Sequence, residues 1–200
     1  MEREERLDDR SDGAGDPRRI IHNAAIVQFS ERGFSATSMA NIAEAAGMSR
    51  PALYQYFRNK GDIYASAFVA LFNDHVDDSL KALDDGETTA QSLDGFLQRF
   101  EGDLWERMAT SKHSAEIMDV RSADTAAEIH QVITRRRAAL EAFLAKAAPG
   151  RSKAAVAQRA EWAEVLALSP RGLKSDMPTV EAYRRRLGSL ARGVAADIDA

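Results

Sequence analysis

Between Gly47 and Lys60 the chain reads GMSRPALYQYFRNK, a stretch dense in side chains able to read nucleic acid. Arg50 carries a planar guanidinium fork that matches the O6 and N7 acceptors of guanine, and Gln55 offers the paired donor and acceptor that adenine requires. Ala52, or the ring of Pro51, can touch a thymine methyl. Ser38 and Ser49 stand where helices begin, and the free N–H groups of helix N-termini point toward phosphates. Arg18, Arg19 and Arg58 add positive charge nearby. The same stretch also holds Leu53 and Phe57, which read as core, so one short helix has both a buried and a charged face.

Such groups work only if a scaffold presents them. Ala43, Gly47 and Leu53 have the spacing of a helix-turn-helix. A small side chain fits where two short helices cross, glycine takes the positive φ of the turn, and an aliphatic residue six positions on locks the second helix. Upstream, Asp16 caps a helix whose first residue is Pro17, Ile21, Ala25 and Phe29 form its apolar face, and Gly33 ends it. Thr37 or Ser38 caps the second helix and Ser49 the third, which runs through Phe57. A long helix is expected from about Asp62 to Leu83. Beyond it the apolar positions recur at three- and four-residue steps, broken at DDGET, HSAE, RSAD, APGR and SPRGLKSDMP. Strand-like alternation is absent, so the fold class is all-α.

Composition narrows the function classes. The 200 residues contain no cysteine, excluding disulfides, thiolate metal sites and thiol redox chemistry. No apolar run suggests a membrane span, and the charged N-terminus is no signal peptide, so the expected location is the cytoplasm. The net charge of −4 is unevenly spread. Residues 1–16 hold three arginines against seven carboxylates, while residues 17–60 hold five arginines and one lysine against Glu31 and Glu44. A compact positive segment between acidic ones is the footprint of a small nucleic-acid reader on a larger acidic body.

Residues 17–70 resemble the tetracycline-repressor-like (TetR) family of bacterial transcriptional regulators. The resemblance lies in Gly33-Phe34, Ala36-Thr37-Ser38, Ile42-Ala43, Ala46-Gly47-Met48-Ser49, Leu53-Tyr54, Tyr56-Phe57 and Lys60. It implies that the helix from Ser49-Arg50 is a recognition helix in the major groove. Arg50, Pro51, Ala52 and Gln55 would face bases; Tyr54, Tyr56, Lys60 and Thr37 or Ser38 would meet phosphates. Ala40 departs from the polar or basic residue frequent there in the family, so the second helix would contribute less base readout.

Over residues 71–200 the resemblance is architectural only. Residues 1–15, polar and glycine-containing, read as a disordered tail, and the resemblance implies a DNA-binding domain at 16–61 and a helical effector-binding and dimerisation domain at 62–200. Phe96, Phe100, Leu104, Trp105, Met108 and Met118 are the candidate lining of an effector pocket, with plain core packing as the alternative. Val180, Tyr183, Leu187, Leu190 and Val194, with Trp162 and Leu166, are the candidate dimer interface, again against an internal core stripe. Asp74, His75 and Asp78 read as a solvated acidic face rather than a metal site. No cofactor and no catalytic constellation is expected, since G-x-S-x-G, H-E-x-x-H and a phosphate-cradling glycine loop are all missing.

The resulting expectation is a regulator, a repressor, that binds a palindromic double-stranded DNA operator as a homodimer and is released by an unknown small-molecule effector. The competing readings are a helical small-molecule-binding or adaptor protein with a structural helix-turn-helix, and a helical-bundle enzyme.

Overall fold

The computed structural model describes residues 15–113 and 125–200, which form helices and no strand. In chain order these are α1 (Pro17–Arg32), α2 (Met39–Ala45), α3 (Arg50–Tyr56), α4 (Lys60–Asp85), α5 (Thr89–Leu97), α6 (Asp103–Thr110), α7 (Ala126–Ala147), α8 (Lys153–Leu173) and α9 (Val180–Ile198). The expected tail at 1–15 lies outside the described residues apart from Gly15. None of the described helices is long and apolar enough to cross a membrane.

Local chemistry sets the boundaries. The Asp16 carboxylate accepts from Arg18 N, the Ser49 hydroxyl accepts from Ala52 N, and Ser38 forms a reciprocal capping box with Asn41. α4 starts two residues before the apolar spacing places it, because Asn59 Oδ1 accepts from Asp62 N at 2.9 Å and caps the helix. α8 runs through Pro170 instead of stopping before it. Proline removes one backbone donor there. The final turn is held against α9 by Tyr183, whose hydroxyl donates to the Pro170 carbonyl at 3.1 Å.

α5 and α6 are joined by one π-helical turn, Gln98–Gly102. A π-turn adds a residue to the helical repeat and rotates everything beyond it. The single stripe expected from Leu93 to Met108 is therefore split. Leu93, Phe96 and Leu97 enter the main C-terminal core, Phe100 joins a separate cluster with Phe72, Val76 and Val132, and Leu104 packs beside it.

Packing forms two larger cores joined through α4. Ile21, Phe29, Ile42, Leu53, Phe57 and Ile63 close the N-terminal one. The other draws on α5, α7, α8 and α9. The stripe expected to meet a second copy is largely part of it. Leu166, Tyr183 and Leu187 are fully buried within the single chain, with Trp162 and Val194 9% and 7% exposed. Trp162 Nε1 also donates to Asp197 Oδ2 at 2.8 Å, and only Val180 and Leu190 are partly exposed. Within the single chain this helix packs against α5 and α8.

Candidate nucleic-acid interface and central cavity

The interface is built on the turn between α2 and α3. Gly47 takes φ +66°, and the Met48 N–H donates to Ala43 O at 3.0 Å. Ala43 is 2% exposed at the helix crossing and Leu53 is fully buried beneath α3. With Leu53 and Phe57 pinned in the core, the opposite face of α3 is turned outward. Ser49, Arg50, Pro51, Tyr54 and Gln55 are exposed, as are Ser38 and Arg58, while Ala52 is half-buried. The Arg50 guanidinium carbon lies 5.7 Å from the centre of the Tyr54 ring, so the two side chains share one surface. Tyr56 is half-buried and packs on the N-terminal core.

Two residues expected at phosphates face inward. Thr37 is 1% exposed, with its hydroxyl 2.7 Å from Gly33 O and 3.1 Å from Gln28 O. It ties the α1–α2 loop to the end of α1 and leaves the cap of α2 to Ser38. Lys60 Nζ lies 2.7 Å from Phe34 O, 3.0 Å from Ser35 O and 2.9 Å from Thr37 O. An ammonium has three protons, and three carbonyls take them. Its charge also sits 4.7 Å above the Phe34 ring. Lys60 is thus a clamp on the loop that precedes α2. Nearby, Arg18 lies 5.0 Å from the Phe57 ring centre, and Arg19 makes a 3.6 Å ion pair with Asp74.

The acidic run on α4 is used for surface pairing. Asp74 meets Arg19, Asp77 meets Arg135 at 2.9 Å, and Asp78 meets Lys81 at 3.1 Å. His75 points away from them and is buried. Its Nδ1 lies 3.1 Å from Arg99 O in the π-turn, while Nε2 has no partner among the described residues. Burial holds its pKa below the ordinary value, and burial does the same for His22, whose Nε2 lies 2.9 Å from Ser66 Oγ.

A cavity of about 1310 Å³ lies between α1, α4, α6, α7 and α8. Phe96, Phe100, Leu104 and Met108, four of the candidate lining residues, border it. Trp105 does not. Its Nε1 donates to Pro178 O at 3.2 Å and its ring meets Tyr183 edge-on at 5.6 Å. Met118 lies outside the described residues. The wall includes Ile26, Val27 and Phe29 of α1, so the cavity borders the N-terminal unit directly. An aromatic series runs from Phe29 through Tyr64, Phe68 and Phe72 to Phe100, with ring centres 4.8 to 5.8 Å apart.

Sequence reasoning missed the charged part of this lining. Glu101 and Arg136 face each other at 4.0 Å, with Lys174 3.3 Å from Glu101. Burial lowers the Arg136 pKa to about 10, against the opposing pull of Glu101, so the guanidinium stays charged at neutral pH. Burial, reinforced by Glu101, drives the Tyr183 phenol well above its usual range. Arg136 interrupts an otherwise apolar face of α7, which is the one trace of this site visible in the sequence.

Comparison with known proteins agrees with this geometry. Residues 21–67 match the family described as bacterial regulatory proteins, tetR family. The chain is 35% identical over 92 residues to the biofilm operon icaADBC HTH-type negative transcriptional regulator IcaR of Staphylococcus epidermidis, covering 44% of this chain and 47% of the relative. It is 43% identical over 54 residues to the HTH-type transcriptional activator FasR of Mycolicibacterium smegmatis, covering 27% and 23%. The matches thus span less than half the length of these relatives. Among solved structures, the fold is similar to a transcriptional regulator from Cytophaga hutchinsonii, with TM-score 0.68 and 16% identity over 90% of this chain and 96% of that one. It is also similar to the fatty acid degradation regulator FadR from Bacillus halodurans, with TM-score 0.61 and 18% identity over 91% and 96%.

Proposed function

We propose, from the premise that residues 21–67 are the N-terminal domain of the bacterial tetR family of regulatory proteins, that this chain is a sequence-specific DNA-binding transcriptional repressor released by a small-molecule effector. The observation that carries the reading is the division of α3 into two faces, with Leu53 and Phe57 buried and Arg50, Pro51, Tyr54 and Gln55 exposed. Arg50 and Gln55 read base edges in the major groove; Ser38, Ser49 and Tyr54 hold the backbone. A helix of seven residues reads few base pairs, so two copies bind a palindrome with half-sites about one helical turn apart. The exposed side of α8, where Val165 and Leu168 stand 42% and 61% exposed one turn apart, is a candidate surface for that pairing.

The effector occupies the cavity beneath α1. It acts by favouring a protomer arrangement whose recognition helices are wrongly spaced, and DNA must weaken effector binding to the same degree. Binding is tested by selecting an operator from a random pool and titrating affinity against salt. A steep negative slope of log affinity on log salt is expected, and Arg50→Ala should relax discrimination at one base by about 1–3 kcal/mol. A flat slope with no selected sequence overturns the reading in favour of a helical binding protein with a structural helix-turn-helix.

A further inference from the structure

Arg136 is the only buried arginine among the described residues, at 6% exposure, and it lines the cavity. Its guanidinium carbon lies 4.1 Å from the Phe96 ring centre and 4.3 Å from that of Phe100. Polar compensation is thin. Nη2 donates to Phe96 O at a long 3.4 Å, Nη1 comes no nearer than 4.0 Å to Glu101, and Nε has no partner among the described residues. A buried guanidinium so incompletely bonded is costly, and a ligand able to supply the missing acceptors would recover that cost.

The surroundings define what such a ligand must be. Glu101 is shared between Arg136, Lys174 at 3.3 Å and the Tyr183 hydroxyl at 3.4 Å, so one carboxylate faces two cations. Arg107, Arg137 and Arg171 add positive charge to the lining, where Glu31 is the only other acid among the described residues. The remaining wall is mainly apolar, including Phe68, Phe72, Leu104, Ile129 and Ile133. A planar fork with free N–H groups suits a planar two-oxygen acceptor. A second negative charge on the head would meet repulsion from Glu101, which favours a monoanion over a phosphate.

We infer that the cavity binds an amphipathic carboxylate, its head taken by the Arg136 guanidinium beside Lys174 and its long apolar body lying among the phenylalanines. The inference rests on the reading of this cavity as the effector site, and it supplies the effector's chemical class. Arg136 then has a second role, since its ring contact with Phe100 places the head group at the end of the aromatic series leading to α1.

Calorimetry on the full chain tests it, with dodecanoate and dodecyl phosphate each below its micelle concentration and dodecan-1-ol below its solubility limit. Dodecanoate should bind about tenfold to a hundredfold more tightly than the alcohol, the increment expected from a charge-assisted hydrogen-bonded pair. Arg136→Met, which keeps the unbranched apolar stem and removes the guanidinium, should bring that ratio close to unity. Should Arg136→Met fail to fold, the wild-type ratio and its several-fold reduction in Lys174→Gln decide the matter. Equal affinity for acid and alcohol, a preference for the phosphate, no binding of any of the three, or an undiminished ratio in Arg136→Met overturns the inference. DNA anisotropy on a selected operator separates the two levels. If dodecan-1-ol releases DNA and dodecanoate is inert, the effector site stands and the carboxylate falls. If dodecanoate binds with the expected preference and DNA affinity is unchanged, the carboxylate site stands and the effector reading falls.

Discussion

The ammonium of Lys60 lies 2.7 Å from the carbonyl oxygen of Phe34, 26 residues earlier in the chain. With the Ser35 and Thr37 carbonyls also within 3.0 Å, the first residue of α4 fastens the loop that leads into α2. One side chain thus ties the helix-turn-helix to α4, beside the apolar packing of Ile63 and Tyr64 against Ile42 and Leu53.

Lys60→Met should therefore act on stability before electrostatics. Losing a charged donor from partly solvated carbonyls costs about 1–3 kcal/mol, read as a shift in the urea midpoint. The slope of log DNA affinity on log salt should stay unchanged. Were Lys60 a phosphate contact, the slope would fall by about one.

Gly47 tests the turn independently. A Cβ built there meets nothing within 4 Å, so the penalty for a side chain is conformational and not steric crowding. Gly47→Ala should cost about 1–2 kcal/mol and Gly47→Asn less, because asparagine tolerates the left-handed region. Thermal unfolding of the three proteins gives the order; equal melting temperatures would contradict the assigned φ of 66°.

Leu187 separates internal packing from association. It is fully buried inside one chain, so Leu187→Ala should lower unfolding free energy by about 2–5 kcal/mol. Sedimentation below the transition should show the association state unaltered. Dissociation of an otherwise equally stable protein would return this stripe to the interface.

His75 makes a prediction in pH. Its folded pKa is lowered from 6.5 by burial, and protonation would create an Nε2 donor with no described acceptor. Above about 6.5 both folded and unfolded chains keep the imidazole neutral, and it adds no pH dependence. As pH falls through that value the unfolded chain takes up a proton that the folded chain resists, so stability declines. His22, shifted in the same direction, adds to the decline. His75→Gln should flatten the slope of stability between pH 7 and 5, even if its absolute stability is lower; an unchanged slope sinks the assignment.

The amino-acid order alone determined the helical class, the caps at Asp16 and Ser49, the turn at Gly47 and the outward placement of Arg50, Pro51, Tyr54 and Gln55. These are set by contacts within a few positions, or by a 3.6-residue period that fixes which face is apolar. That period cannot say what covers the face. Trp162, Leu166, Tyr183 and Leu187 suited a second copy as well as their own core, and only the placement of α5, α8 and α9 around one another decided it. Lys60 and Thr37 look like phosphate ligands until the α1–α2 loop is seen to take their protons. Arg136 stands within an arginine run, and in the sequence only its place on the apolar face of α7 sets it apart. The π-turn at Gln98–Gly102 sets Phe100 into a cluster apart from Phe96, and the folded chain holds the guanidinium between the two rings. Local sequence fixed which groups exist and how each helix begins; long-range packing fixed which of them remain free to meet a ligand.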